Sequence, residues 1–298
     1  MKIKPPRLNS GDKIGIIAPA GPVSPAELQP SIDFLKNKGF LVSESEHLYD
    51  KQGYLAGNDD KRLADLHSMF NDKNIKAIFC ARGGYGALRL LDKVNYELIR
   101  RNPKIIVGYS DITALLFSIY IKTGLITFHG PIIKDLINHG DNNINSLLEL
   151  ISSGEIARFT LLEGQVLREG KTKGTILGGN LSLLSSLIGT QFMPSLKNKI
   201  LFIEERGEPL YRIDRMLTQL NLSGELGRVR GVIAGNFTEC GDIREINRLL
   251  LDIISDGCPL YSGFPVGHGL NNRTIPLGIE ALFDTYEKTF EFVDTCVV

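Results

Sequence analysis

IIVGYSDITALL, Ile105 to Leu116, passes from an apolar run through Gly108, Tyr109, Ser110 and Asp111 and then resumes with the spacing of an apolar helix. A strand that gives way to a helix within so short a turn is the repeating step of an α/β fold. The serine at the turn admits two readings. Serine is a favoured N-cap, its hydroxyl accepting a bond from a free backbone N–H. The order strand, turn, serine, helix is also that of a nucleophile elbow, in which the turn lifts Oγ above the sheet and the helix amino terminus faces developing negative charge. A standard elbow carries glycine two residues after the serine, and here Ile112 stands there.

The flanking segments repeat the step. KIGIIAPA at Lys13–Ala20 reads as a strand, PAELQPSIDFLKNKG at Pro25–Gly39 as a helix stopped by glycine, and FLVSES as a strand. DDKRLADLHSMFND sets Leu63, Leu66, Met69 and Phe70 at helical spacing. KAIFCA at Lys76–Ala81 is the next strand, followed by the glycine turn RGGYG and a helix through ALRLLDKV. KIIVGY is a strand, DITALLFSIYIKTG a helix, and LITFHGP a further short strand. Strands separated by helices of this length predict a mainly parallel sheet covered on both faces, with ligands at the carboxyl ends of its strands.

From Lys134 to Lys173 the periodicity weakens around the polar segment NHGDNNIN, where a linker or boundary is expected. Beyond it β-like segments dominate, in GTILGGN, KILFIEE, VRGVIAGNF and KTFEFVDTCVV, with helical stretches at YRIDRMLTQLN and EINRLLLDIISD. The expected division is an α/β domain over residues 1–135, a linker region over 136–172, and an α/β or β-rich second domain over 173–298.

Composition narrows the function. The 298 residues are 43% hydrophobic and 23% charged, which suits two domains or one large one. Thirty-four basic residues balance thirty-four acidic ones, so no global field favours nucleic acid or an anionic membrane. No run approaches the roughly 18 apolar residues of a membrane span, and the amino-terminal apolar run is broken by Gly15 and Pro19, too short for a signal-peptide core. A cytoplasmic protein is expected. Cys80, Cys240, Cys258 and Cys296 are scattered with no C-x-x-C pair, so buried reduced thiols are expected rather than a zinc site or disulfides. Neither a metal nor a cofactor is expected.

A serine nucleophile needs a base, and the base needs an acid to fix its tautomer. Five histidines are available. His47, His67 and His139 sit in polar or helix-surface surroundings and read as solvated. His129 in TFHGP and His268 in FPVGHGLNN both follow apolar runs and adjoin glycine, the setting of a strand end facing a cleft; the residues alone leave both open. Glu204 and Glu205, closing KILFIEE, are candidates for the acid, although salt bridges to Arg206, Arg212 or Arg215 would account for them equally. Successive side chains on an extended backbone diverge, so only one of the two is expected to meet histidine. Arg82-Gly83-Gly84-Tyr85-Gly86 lacks the Lys-Ser/Thr of a phosphate loop, and its exposed amides would instead suit an oxyanion.

ARGGYG, VGYSDIT, FHGP, LGGNL at Leu177–Leu181, IEERGEPLYRIDRML and FPVGHGLNNRTIPLG, in this order, resemble the LD-carboxypeptidase family of serine peptidases, which includes muramoyltetrapeptide carboxypeptidase and the microcin-immunity peptidases. The resemblance implies that Ser110 is the nucleophile, that His268 rather than His129 is the base, and that Glu204 orients it, with Glu205 as the second choice. It implies an oxyanion hole at the backbone amides of Gly84 and Asp111. The implied fold is an amino-terminal Rossmann-like, class I amidotransferase-like parallel-sheet domain joined to a smaller carboxyl-terminal swivelling β/α domain, commonly as a homodimer. The implied activity is hydrolysis of the L,D bond to the terminal D-alanine of a murein tetrapeptide in peptidoglycan recycling. Arg82, beside the oxyanion turn, is the candidate clamp for the substrate's free carboxylate, because guanidinium pairs carboxylate in bidentate fashion. Two other readings are a microcin-immunity peptidase acting on a peptidyl nucleotide, and a non-catalytic protein binding a small ligand or nucleotide through RGGYG.

Overall fold

The computed structural model describes residues 2–298, except the side chains of residues 139–143, so the expectation for His139 falls outside the described residues. The chain forms two compact units. One takes the residues up to Gly154 together with Arg273–Pro276 and Cys296–Val298; the other takes Glu155–Asn272 and Leu277–Thr295.

In the first unit the apolar runs become β1 (Lys13–Ile17), β2 (Leu41–Glu44), β3 (Ile75–Cys80), β4 (Ile105–Gly108) and β5 (Thr127–His129). Between them lie α1 (Pro25–Asn37), α2 (Asp59–Asn71), α3 (Tyr96–Arg101) and α4 (Ile112–Thr123), with α5 (Gly140–Ser152) following β5. The strands pair in parallel in the order β2-β1-β3-β4-β5, and Ile275–Leu277 adds a sixth strand beyond β5. All four residues of β4 are buried, as a parallel strand covered on both faces requires. The segment after RGGYG winds as a 3-10 helix over Ala87–Lys93 rather than an α-helix. Strand order reverses between β1 and β3, the point at which doubly wound sheets open a crevice at their carboxyl ends. There Gly21 N–H donates to the Gly83 carbonyl at 2.9 Å, joining the two loops.

The second unit holds β6 (Arg158–Thr160), β7 (Gln165–Arg168), β8 (Lys171–Asn180), β9 (Lys199–Arg206), β10 (Gly231–Thr238) and β11 (Leu260–Ser262). Counting Ile275–Leu277 as β12, it also holds β13 (Glu280–Asp284) and β14 (Thr289–Phe292), with helices α6 (Leu181–Leu187), α7 (Leu210–Leu222) and α8 (Ile243–Ile253). Its sheet runs β6-β14-β13-β8-β9-β10-β11-β7, parallel from β8 to β11 and antiparallel towards both edges. In its core the rings of Phe159 and Phe290 stack 6.0 Å apart, and each packs within 6.0 Å of the rings of Phe264 and Phe292. Burial of each such ring contributes about 1.5–3 kcal/mol.

The stretch 136–172, read from the sequence as a linker, carries α5, β6 and β7. The terminal run KTFEFVDTCVV is a strand only over β14: Cys296–Val298 belong to the first unit, where Arg7 N–H donates to the Val298 carbonyl at 2.8 Å. All four cysteines are buried thiols outside any disulfide, and burial pushes the Cys80 thiol well above its ordinary range. No helix among the described residues is long and apolar enough to cross a membrane.

Candidate active site

Ser110 follows β4 with φ +62°, in the left-handed region that costs a non-glycine residue about 1–2 kcal/mol. Helix capping does not account for that cost. Asp111 is the N-cap of α4 and its side chain makes no capping bond, while Thr113 N–H donates to the carbonyl of Ser110, not to its hydroxyl. The hydroxyl is half-buried and lies against the glycine turn after β3. A Cβ on Gly83 would come within 2.8 Å of Ser110 Cβ and 3.0 Å of Oγ, so glycine alone permits this approach. The amides of Gly84 and Asp111 donate to no protein acceptor among the described residues. They are donors available to an anion beside Oγ.

The Asp111 carboxylate has a separate role. It is buried and turns back to accept from Ala87 N–H at 2.7 Å. Burial raises its pKa to about 6, opposed by the Ala87 amide, the Arg62 guanidinium and the Gly86 amide. Arg62, 1% exposed, reaches the same turn from α2: its Nη1 donates to the Gly86 carbonyl at 3.0 Å and to that of Pro19, and its Nη2 to Asp59 at 2.5 Å. Neither side chain's role was read from the sequence. For Arg62 a signal exists, because it shares the buried helical stripe of Leu66 and Met69.

In the second unit the two adjacent glutamates at the end of β9 have different partners. Glu204 is 0% exposed and its Oε2 lies 2.7 Å from His268 Nδ1. A carboxylate oxygen accepts, so Nδ1 carries the hydrogen, and in the neutral ring Nε2 then keeps its lone pair, the tautomer a general base requires. The His268 side chain is 10% exposed. Gly267, at φ +103°, gives the carboxylate its room: a Cβ there would press on Glu204 Oε2 and come within 2.7 Å of Glu204 Cβ. Its amide donates to Asn272 Oδ1 at 2.9 Å, fixing the loop.

Glu205 points elsewhere. It accepts from Asn180 Nδ2 at 2.8 Å, Ser182 N–H at 2.8 Å, Ser182 Oγ at 2.7 Å and Arg206 N–H at 2.9 Å. Burial raises its pKa against these bonds. The arginine pairings weighed for the two glutamates do not form: Arg206 pairs with Glu239, Arg212 with Glu208, and Arg215 lies over the Tyr211 ring.

The other histidines correct their sequence readings. His47 is not solvated; its Nδ1 lies 2.9 Å from the buried carboxylate of Asp65. His67 is half-buried, its Nε2 accepts from Asn95 N–H at 2.9 Å, and burial lowers its pKa. His129 ends β5 fully buried, its ring edge-on to Tyr109 at 6.0 Å, so it faces no open cleft. Arg82 is partly buried and donates from Nη1 to the Pro22 carbonyl at 2.9 Å; no carboxylate pairs with it among the described residues. No group of three or more His, Cys, Asp or Glu placed to hold a metal occurs among the described residues.

Comparison with known proteins adds the family. Residues 14–130 match the LD-carboxypeptidase N-terminal domain and residues 173–283 the LD-carboxypeptidase C-terminal domain. A probable murein peptide carboxypeptidase of Bacillus subtilis is 41% identical over 299 residues, covering 97% of this chain and 94% of its own. The muramoyltetrapeptide carboxypeptidase of Oxalobacter formigenes superposes with a TM-score of 0.83 at 29% identity, over 94% of this chain and 97% of its own. MccF in complex with glutamyl sulfamoyl guanosine superposes with a TM-score of 0.91 at 26% identity, over 99% of both chains. With both domain matches in order and relatives aligned over nearly its whole length, the chain belongs to the LD-carboxypeptidase family.

Proposed function

We propose that the protein is a serine carboxypeptidase that hydrolyses the L,D peptide bond to the terminal D-alanine of a murein tetrapeptide. Ser110 Oγ attacks the carbonyl carbon of that bond while His268 Nε2 takes its proton. The oxyanion that forms is held by the amides of Gly84 and Asp111. Collapse breaks the C–N bond, His268 returns the proton to the departing amine of D-alanine, and water resolves the acyl-enzyme by the same base. Glu204 holds Nδ1–H throughout and stabilises the imidazolium. Arg82 is the candidate clamp for the terminal carboxylate.

The observation that carries this reading is the left-handed backbone of Ser110, pressed against Gly83, in a member of this family. Strain of this kind is held where function requires it. A catalytic serine accounts for it, and an N-cap does not. The family relatives support the murein peptide as substrate class.

The test is product analysis after incubation with a defined L,D-terminated tetrapeptide, with Ser110→Ala as control. Release of D-alanine by the wild type alone supports the reading, and release by the variant at the wild-type rate overturns it. The likeness to MccF keeps a second substrate in view, and turnover of a peptidyl nucleotide run beside the tetrapeptide separates the two. A cytoplasmic homodimer completes the proposal; light scattering at micromolar concentration checks the assembly.

A further inference from the structure

The turn that carries Gly84 has no regular structure of its own, yet its amides must be aimed within a fraction of an ångström to serve an oxyanion. Two buried side chains of opposite charge grip its far end. From one side Arg62, on α2, donates to the carbonyl of Gly86 at 3.0 Å and to that of Pro19, beyond the end of β1. From the other, the Asp111 carboxylate accepts from the amide of Ala87 at 2.7 Å, with the amide of Gly86 beside it. The peptide unit between Gly86 and Ala87 is therefore held at both its oxygen and its nitrogen. Asp59 backs the guanidinium at 2.5 Å and is itself paired with Arg89 at 2.9 Å.

Asp111 also belongs to the nucleophile's own turn. Its side chain binds the glycine turn while its main-chain N–H lies next to Ser110, and Gly83 is packed between the two turns: a Cβ there would stand 3.5 Å from Asp111 N. Fixing one turn against the other fixes both oxyanion donors relative to Oγ.

We propose that Arg62 and Asp111 are positioning residues that preorganise the oxyanion hole, acting on the transition state through the Gly84–Ala87 turn. The proposal rests on the functional reading above. Neither side chain touches the reacting atoms. Their contribution is to prevent the amides from having to reorganise when charge develops, an effect felt in the transition state and not in ground-state binding.

Asp111→Asn keeps the size but leaves a single acceptor oxygen for the two amides. Arg62→Lys keeps the charge but loses the planar fork in which Nη1 serves two carbonyls while Nη2 pairs with Asp59. Each is expected to lower kcat on the tetrapeptide by about 10²-fold, the scale of a small misplacement at a reacting centre, with KM unchanged within about twofold. A peptide aldehyde of the same sequence, ending at the L-centre, adds Ser110 Oγ to its carbonyl carbon with no leaving group. Its hemiacetal oxygen occupies the same hole, so its affinity is expected to fall by the same factor as kcat.

Gly86→Ala tests the grip while keeping both charged groups, because the added Cβ would stand 2.6 Å from Arg62 Nη1. It is expected to show the same split, and it takes over the test where Asp111→Asn or Arg62→Lys does not fold. A folded variant with kcat within twofold of the wild type overturns the proposal. So does an equal loss of substrate and aldehyde binding, the signature of a purely structural defect. Failure of the underlying reading shows differently: the aldehyde then does not inhibit the wild type at all.

Discussion

Ser110 is set in place by main chain, whereas His268 is set in place by a side chain. Around Ser110 the elements are a positive φ, a glycine where any Cβ would collide with the hydroxyl, and backbone amides of Gly84 and Asp111 with no protein acceptor among the described residues. Around His268 the decisive contact is one buried carboxylate oxygen 2.7 Å from Nδ1. The difference teaches where each region is fragile. A backbone-built centre is broken by adding an atom or aiming an amide badly, while a side-chain pair is broken by an isosteric change of charge.

Removing the hydroxyl is expected to have the largest effect. Ser110→Ala should lower kcat by about 10⁶-fold, as loss of a triad nucleophile does elsewhere, with the fold intact by circular dichroism. Next is Glu204→Gln, which keeps the shape but can present N–H to Nδ1 and favour the wrong tautomer; about 10⁴-fold is expected in kcat. Gly267→Ala attacks the same pair sterically, pushing Glu204 away from the ring, and about 10²-fold is expected. Glu205→Gln sharpens the contrast between neighbours: turnover stays within a few-fold of the wild type, while denaturant unfolding reports a loss of about 1–3 kcal/mol from its acceptor bonds to Asn180, Ser182 and Arg206. Equal kinetic defects in Glu204→Gln and Glu205→Gln would erase the distinction drawn between them.

The smallest expected effect concerns pH. Asp111 is raised by burial from an ordinary 3.8 to about 6, with Arg62 the charged group facing it. Between these values the folded chain holds a proton that the unfolded chain has released. The group's stabilising contribution is therefore full below about pH 4 and is lost as pH rises through about 6. Asp111→Asn lacks this titration, so its Tm should fall less than that of the wild type between pH 4 and pH 7. Parallel Tm curves would contradict the assignment.

Much of this organisation is legible in the sequence, and the reasons it stops are physical. KIGII, IKAIFC and IIVG announce themselves because parallel strands covered on both faces need near-continuous apolar runs. The turn at Ser110 is visible as strand, small residues and helix, but its φ is not, since Asp111 rather than the serine holds the N-cap position. The choice between Glu204 and Glu205 depends on which face of β9 meets the GHG loop, a tertiary fact invisible in two identical letters. β6 has three residues and β7 is half-exposed at a sheet edge, so neither carries a hydrophobic signature. The return of Cys296–Val298 to the first unit is made by hydrogen bonds to Pro5 and Arg7, hundreds of residues away in the chain.

The central claim is that the Ser110 hydroxyl is the group that attacks. It is tested most directly by treating the protein with a fluorophosphonate, measuring residual D-alanine release from the tetrapeptide, and locating the adduct by peptide mass spectrometry. The account predicts one adduct per chain, on the peptide containing Ser110, with activity lost in step with labelling. Complete inactivation with the label on another residue, or full activity in protein fully labelled at Ser110, would contradict it.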